Sequence, residues 1–151
     1  MFILITMYNG LLHTHNLLRW IILIVFAVSI ILAFSGWLGK HKWKKRDKTA
    51  GLLLMVFIDL QFFTGIILYL FVSPVTKTAF SNFGAAMRNA DLRFFAVEHI
   101  FLMVIALVVM HIGRAKSIKA TASWKKHRVV LIYYTVSLIL VLAAIPWERG
   151  L

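Results

Sequence analysis

Residues 93–114 read RFFAVEHIFLMVIALVVMHIGR and decide the fold of this chain. The run is apolar for long enough to cross a bilayer, and only Glu98, His99 and His111 interrupt it. Ionisable groups inside such a run are costly, so they are expected to face a protein interior or a cavity and to mark a functional site. The two histidines are twelve positions apart, which is a rise of roughly 18 Å along a helix. We therefore expect His99 near one membrane face and His111 near the other.

The composition is that of a single-domain integral membrane protein. The 151 residues are 62% hydrophobic, and the apolar residues come in long blocks. Cysteine is absent, which excludes disulfides, thiolate metal sites, iron–sulfur clusters and covalent haem attachment through cysteine. The net charge is +12, but most basic residues are concentrated in two short connectors between apolar blocks. That distribution favours contact with anionic lipid and not with nucleic acid.

The hydropathy pattern predicts an all-α integral membrane bundle of four transmembrane helices, at about 16–38, 51–72, 94–113 and 129–146. We expect the apolar residues 1–8 to form a separate interfacial stub that ends at Asn9-Gly10, with Thr14 capping the first crossing. Ser123 is expected to cap the fourth helix. The loop before the third crossing has apolar residues at helical spacing, which predicts a short surface helix: Phe80, Phe83 and Met87.

The basic residues predict the orientation of the bundle. The first and third connectors hold six lysines or arginines each, whereas the opposite side has four, at positions 77, 88, 93 and 149. Because cytoplasmic loops carry the excess of basic residues, the connectors should be cytoplasmic and both termini outside. We therefore expect a multi-pass protein of the bacterial inner membrane.

This orientation sorts the membrane histidines into an outer pair, His15 with His99, and an inner pair, His111 with His127. A b-type haem needs only two imidazoles from facing helices, and a four-helix bundle is a natural container for it. Arg19, one turn from His15, is placed to neutralise a haem propionate. The inner pair is the weaker site, because twelve residues turn a helix by about 120° beyond full turns, so His99 and His111 point in different directions.

Five short motifs carry a family resemblance: HNLLRW (15–20), LRFFAVEH (92–99), HIGRAKS (111–117), KHR (126–128) and IPW (145–147). On these motifs the chain resembles small bacterial four-helix cytochrome-b-like integral membrane proteins. The resemblance spans most of the chain and implies non-covalent haem b, one or two per chain, bound through histidine. It also implies electron transport with a quinone or a neighbouring subunit of a respiratory complex.

Two other functions fit the same residues. The chain could be an accessory or structural subunit of a larger membrane complex without its own cofactor, in which case Glu98 would simply pair with Arg19. It could also line a proton or small-solute pathway, to which the mid-membrane Asp59 would belong. No nucleophile elbow, phosphate loop or carboxylate pair indicates hydrolysis. We therefore expect an electron carrier or a subunit and not a stand-alone enzyme.

Overall fold

The computed structural model describes the backbone of residues 2–147 and the side chains of residues 5–147. Within these residues the chain is helical almost throughout and has no strand. Four segments are long and apolar enough to cross a membrane: Ile5–Leu38, Lys45–Val72, Ala90–Lys119 and Ser123–Ala144. The predicted all-α bundle of four transmembrane helices is confirmed. The protein is a multi-pass membrane protein.

The described residues form seven α-helices and two π-helical turns, in which hydrogen bonds join residues five apart. In chain order these are α1 (Phe2–Leu38), α2 (Lys45–Ile67), π1 (Leu68–Val72), α3 (Pro74–Ser81), α4 (Phe83–Ala86), α5 (Ala90–Arg93), π2 (Phe94–Glu98), α6 (His99–Lys119) and α7 (Ser123–Ala144). The turn π1 continues α2, and π2 joins α5 to α6, so each of these groups forms one continuous spanning segment. The four spanning segments are called rods below.

Helix α1 is longer than the sequence predicts, because it continues unbroken through Asn9 and Gly10. Thr14 does not cap it: the Thr14 hydroxyl donates to the Gly10 carbonyl at 2.9 Å, within the helix. In an apolar setting a helix satisfies its own backbone polar groups, and this outweighs the local turn preference of Asn-Gly. The predicted break at Asn9-Gly10 is wrong, and so is the predicted cap at Thr14.

The other long helices also extend beyond the predicted spans. Helix α2 begins at Lys45, where the Asp47 carboxylate accepts the Lys44 backbone N–H at 2.7 Å and closes the first turn. Helix α7 begins at Ser123, which is not its cap as predicted: the Ser123 hydroxyl accepts the Trp43 backbone N–H at 3.1 Å and ties the two basic connectors together. The predicted surface helix is two short helices, α3 and α4, separated at Asn82.

The bundle is most closely packed around α1 and α7. Helix α1 lies along both α2 and α7, and α7 lies along α6, whereas α2 and α6 meet over much less of their length. The buried core comes from all four rods, and its members include Ile22, Phe26, Leu54, Ile58, Met110 and Tyr134. The outward faces carry large exposed apolar side chains on every rod, as a lipid-facing surface requires. The contact between α2 and α6, here called the α2/α6 seam, is the loosest part of the bundle.

Candidate functional site

A cavity of about 240 Å³ lies among α1, α2, π1, α6 and α7. Its walls are mostly apolar, with side chains such as Leu12, Ile22, Phe62, Met103 and Val141. Polar side chains also line it, among them His15, Asn16, Arg19, Gln61, Tyr69 and His99. Three of these, His15, Arg19 and His99, are predicted site residues. The spacing of four between His15 and Arg19 does place both side chains on the cavity face of α1, as predicted.

His15 and His99 face each other across this cavity. Their ring centroids are 6.4 Å apart, and the ring planes meet at 64°. Imidazole nitrogens bind transition metals at about 2 Å, so two imidazoles on opposite sides of one ion stand about 6 Å apart from centre to centre. The separation of the two rings therefore fits ligation of a single metal ion by both histidines.

A backbone carbonyl fixes the orientation of His99. The His99 Nδ1–H donates to the carbonyl of Ala144, at the end of α7, over 2.8 Å. Because a carbonyl only accepts, the proton is on Nδ1 and the lone pair is on Nε2. Metal-binding histidines commonly donate their other ring N–H to a carbonyl or carboxylate in this way. The bond thus leaves the His99 Nε2 as the available ligand atom.

Three buried polar atoms around the cavity have no hydrogen-bond partner: the His15 Nδ1, the Arg19 Nε and the Gln61 Oε1. Leaving such a group unsatisfied costs about 1–3 kcal/mol, and a cluster of them beside one cavity indicates a ligand with polar or metal groups. A flat apolar macrocycle with a central iron and acidic edge groups meets these demands, since the walls are apolar and Arg19 is cationic. The donor set fits haem b.

Gly65 on α2 allows this site to form. A Cβ atom at Gly65 would lie 3.1 Å from the Cε1 of His15, so the absence of a side chain lets the imidazole lie close to α2. Gln61, Gly65 and Tyr69 all line the cavity and follow one another at spacings of four, which is one face of a helix. That stripe of polar and small residues is visible in the sequence as a spacing pattern, but its place beside the cavity is not.

The two π-helical turns meet beside one end of the cavity. The Tyr69 hydroxyl of π1 donates to the Ala96 carbonyl of π2 at 2.6 Å, and the Thr76 hydroxyl donates to the Tyr69 carbonyl at 2.8 Å. Side chains thus satisfy carbonyls at positions where the helical pattern changes. Because π2 immediately precedes His99, it also sets the direction in which α6 presents that histidine. Such single π turns are frequent at functional sites.

Glu98 does not pair with Arg19, as it would in an accessory subunit without a cofactor. Its carboxylate accepts the Arg93 Nε–H at 2.7 Å, and both of these side chains are partly exposed. The Arg19 guanidinium instead lies 5.3 Å from the centre of the Trp20 ring. Five residues separate Arg93 from Glu98 across a π turn, a spacing that brings the two side chains onto one face.

The structure does not bring His111 and His127 together, and both ring nitrogens of His127 are buried without a hydrogen-bond partner among the described residues. The His111 Nε2–H donates to the Asp59 carboxylate on α2 at 2.8 Å. His127 is fully buried, packs against Gly36 of α1, and its ring centroid is 4.8 Å from that of Trp43. His99 and His111 do point in different directions, toward α7 and α2 respectively, as their spacing predicts. Asp59, for which the sequence offered no cation at the same depth, has His111 as its partner.

No protein-family model matches this chain, and neither a curated protein nor a solved structure matches it. The fold and the site therefore define the class directly: a four-helix multi-pass membrane protein with a pair of partly buried histidines in edge contact beside a cavity. The resemblance to cytochrome-b-like proteins stays a prediction.

Proposed function

We propose that this protein binds one b-type haem through His15 and His99 and transfers electrons within the membrane. One observation carries the proposal: the two imidazoles are 6.4 Å apart across an apolar cavity. The unpartnered Arg19 Nε and Gln61 Oε1 beside them support it, because a haem brings polar edge groups to the same place.

Each residue of the site has a distinct task under this proposal. His15 and His99 would hold the haem iron through their imidazoles, and the Ala144 carbonyl keeps the His99 ring oriented. Arg19 neutralises a propionate. The apolar wall keeps water away from the metal. Haem b bound there would supply a one-electron redox centre, and its ligation by both histidines would favour electron transfer over oxygen chemistry.

A haem titration tests the proposal and its stoichiometry. Protein purified without haem and titrated with haemin in detergent is expected to saturate at one equivalent and to give a low-spin Soret band. The reason is that His15 and His99 both line the cavity, whereas His111 is hydrogen-bonded to Asp59 and the His127 ring is packed against Trp43. Saturation at two equivalents would restore the inner site as a second haem site. A titration without saturation would contradict haem binding.

The proposal also includes a location: the bacterial inner membrane, with both termini outside and the two basic connectors against anionic lipid on the cytoplasmic side. It is supported by the imbalance of twelve basic residues in the connectors against four on the opposite side. The histidine pair then lies in the outer half of the membrane, where it can exchange electrons with a quinone or with a neighbouring subunit.

Cysteine labelling tests this orientation, since the chain has no native thiol. Lys45→Cys and Ser81→Cys place single thiols at exposed positions on opposite sides of the bundle. An impermeant maleimide added to intact cells is expected to label position 81, and to label position 45 only after the membrane is permeabilised. Labelling of position 45 from outside would reverse the orientation.

A further inference from the structure

The Asp59–His111 pair lies inside two membrane-spanning segments and yet remains accessible. The His111 Nε2 and the Asp59 Oδ1 are 2.8 Å apart, and each side chain is 39% exposed. Ionisable groups in a spanning segment are costly unless protein, water or a ligand covers them. A half-exposed pair at this depth is therefore a polar contact point on a surface that faces the bilayer.

The pair continues the wall of the cavity. Phe62, three residues after Asp59, lines the cavity from α2, and Leu107, four residues before His111, lines it from α6. Residues three or four apart share a helix face. Asp59 and His111 therefore lie on the same two helix faces as these cavity residues, one turn closer to the basic connectors. The rise from Leu107 to His111 is only about 6 Å. The pair thus bridges the α2/α6 seam next to the candidate haem site, on the side nearer the basic connectors.

The surroundings limit what can bind at this pair. Large apolar side chains are exposed beside the pair on both helices: Val56, Leu60, Phe63, Val104, Val108 and Ile112. A ligand that reaches the pair must come from the bilayer, carry an apolar body and present a polar group at one point. Within residues 5–147 no partner is recorded for the second carboxylate oxygen of Asp59. That oxygen accepts from a hydroxyl, and the His111 Nδ1 does the same, because the ring N–H is on Nε2 and is bonded to Asp59.

We propose that the Asp59–His111 pair binds the headgroup of a lipid-soluble quinone at the α2/α6 seam. A quinone headgroup is a flat ring with an oxygen at each end, and it carries an apolar tail. Its oxygens accept hydrogen bonds in the oxidised form and donate them as hydroxyls in the reduced form. The Asp59 carboxylate and the His111 Nδ1 accept from the reduced form, and the His111 Nε2–H donates to the oxidised form when it turns from Asp59 to the quinone oxygen. The role of the quinone as the electron partner rests on the proposed function, whereas the binding of the quinone does not.

A purely structural role for the pair differs from a quinone site in what it predicts for variants of Asp59 and His111. If the hydrogen bond only holds α2 against α6, replacing both partners by apolar residues of similar size should leave the free energy of unfolding nearly unchanged or raise it. The double variant Asp59→Leu/His111→Leu is therefore expected to keep the fold and the Soret band while it loses the quinone site. Thr64→Val is the matched control, because it removes a hydroxyl from α2 that only bonds to its own helix, at the Leu60 carbonyl.

Quinone binding is measured on the full chain in detergent, with a decyl-substituted benzoquinone as the probe and the quenching of tryptophan fluorescence as the signal. Wild type and Thr64→Val are expected to bind one equivalent with the same affinity. The double variant is expected to bind at least about tenfold more weakly, which corresponds to the loss of a hydrogen bond to a charged group. Unchanged affinity in the double variant would overturn the proposal, as would no saturable binding to wild type.

A photoreactive azidoquinone provides the second measurement, which does not depend on the folding of any variant. Peptide mapping of labelled wild type is expected to find the label within residues 55–63 or 104–112, and a label confined to other segments would overturn the site.

A wild-type dimer that binds no quinone and dissociates in the double variant would assign the pair to an interface between copies. Quinone binding without a Soret band would end the haem proposal alone, and a Soret band without quinone binding would end the quinone proposal alone.

Discussion

Replacing His99 by alanine is expected to abolish the haem Soret band of the purified protein. His99 is the better oriented of the two proposed ligands, because its Nδ1–H is held by the Ala144 carbonyl at 2.8 Å and its other nitrogen is left free for the iron. His15→Ala is expected either to abolish the band or to convert it to a high-spin spectrum, since one axial position would then be open. Absorbance spectra and haem content per chain measure both effects.

Two histidines outside the cavity serve as controls for these variants. His13 is exposed on α1, only two residues from His15, and His41 is exposed in the first basic connector. His13→Ala and His41→Ala are both expected to keep the full haem content and the low-spin spectrum. If His99→Ala also kept a full complement of low-spin haem, the outer pair would not be the site. His111 and His127 would then become the leading ligands.

Gly36→Ala is expected to destabilise the bundle by about 1–3 kcal/mol, the usual effect of overfilling a packed interior. A Cβ atom at Gly36 would overlap the imidazole of His127. That ring is only 1% exposed and lies against Trp43, so it has no room to move away. Thermal unfolding followed by circular dichroism in detergent measures the change.

Gly10→Ala is the matched control, because it lies in the same helix. No atom lies within 4 Å of a Cβ atom added at Gly10, and α1 has ordinary helical backbone at that position. The substitution is expected to leave stability unchanged or to raise it by about 0.5–1 kcal/mol, the ordinary gain of alanine over glycine inside a helix. Equal unfolding temperatures for Gly36→Ala and Gly10→Ala would contradict the close packing of α1 against α7.

The sequence predicted the features that depend on local composition. The four spans follow from long apolar blocks, and the cavity face of α1 follows from the spacing of His15 and Arg19. The divergence of His99 and His111 follows from helix geometry alone. The sequence was misleading at Asn9-Gly10, where local turn preference conflicts with the need of an apolar helix to satisfy its own backbone.

The contacts between helices could not be predicted from the sequence. Residue spacing shows which side chains share a face of one helix, but it does not show how that helix is rotated against its neighbour. Asp59 and His111 are both visible as ionisable groups in apolar runs, yet only the packing of α2 against α6 makes them partners. Glu98 was assigned to Arg19 by depth alone, whereas the π turn before α6 brings Arg93 to it. The close approach of α1 to α7 at Gly36 likewise needs both helices to be in place.

The central claim is that His15 and His99 hold one haem b, and a pyridine haemochrome assay on the protein purified from its membrane tests it most directly. With a reduced-minus-oxidised absorbance spectrum of the same sample, the assay is expected to show haem b at one per chain with no partner protein present. A folded, colourless chain that copurifies with another protein at fixed stoichiometry would contradict the claim. The protein would then be an accessory subunit without its own cofactor.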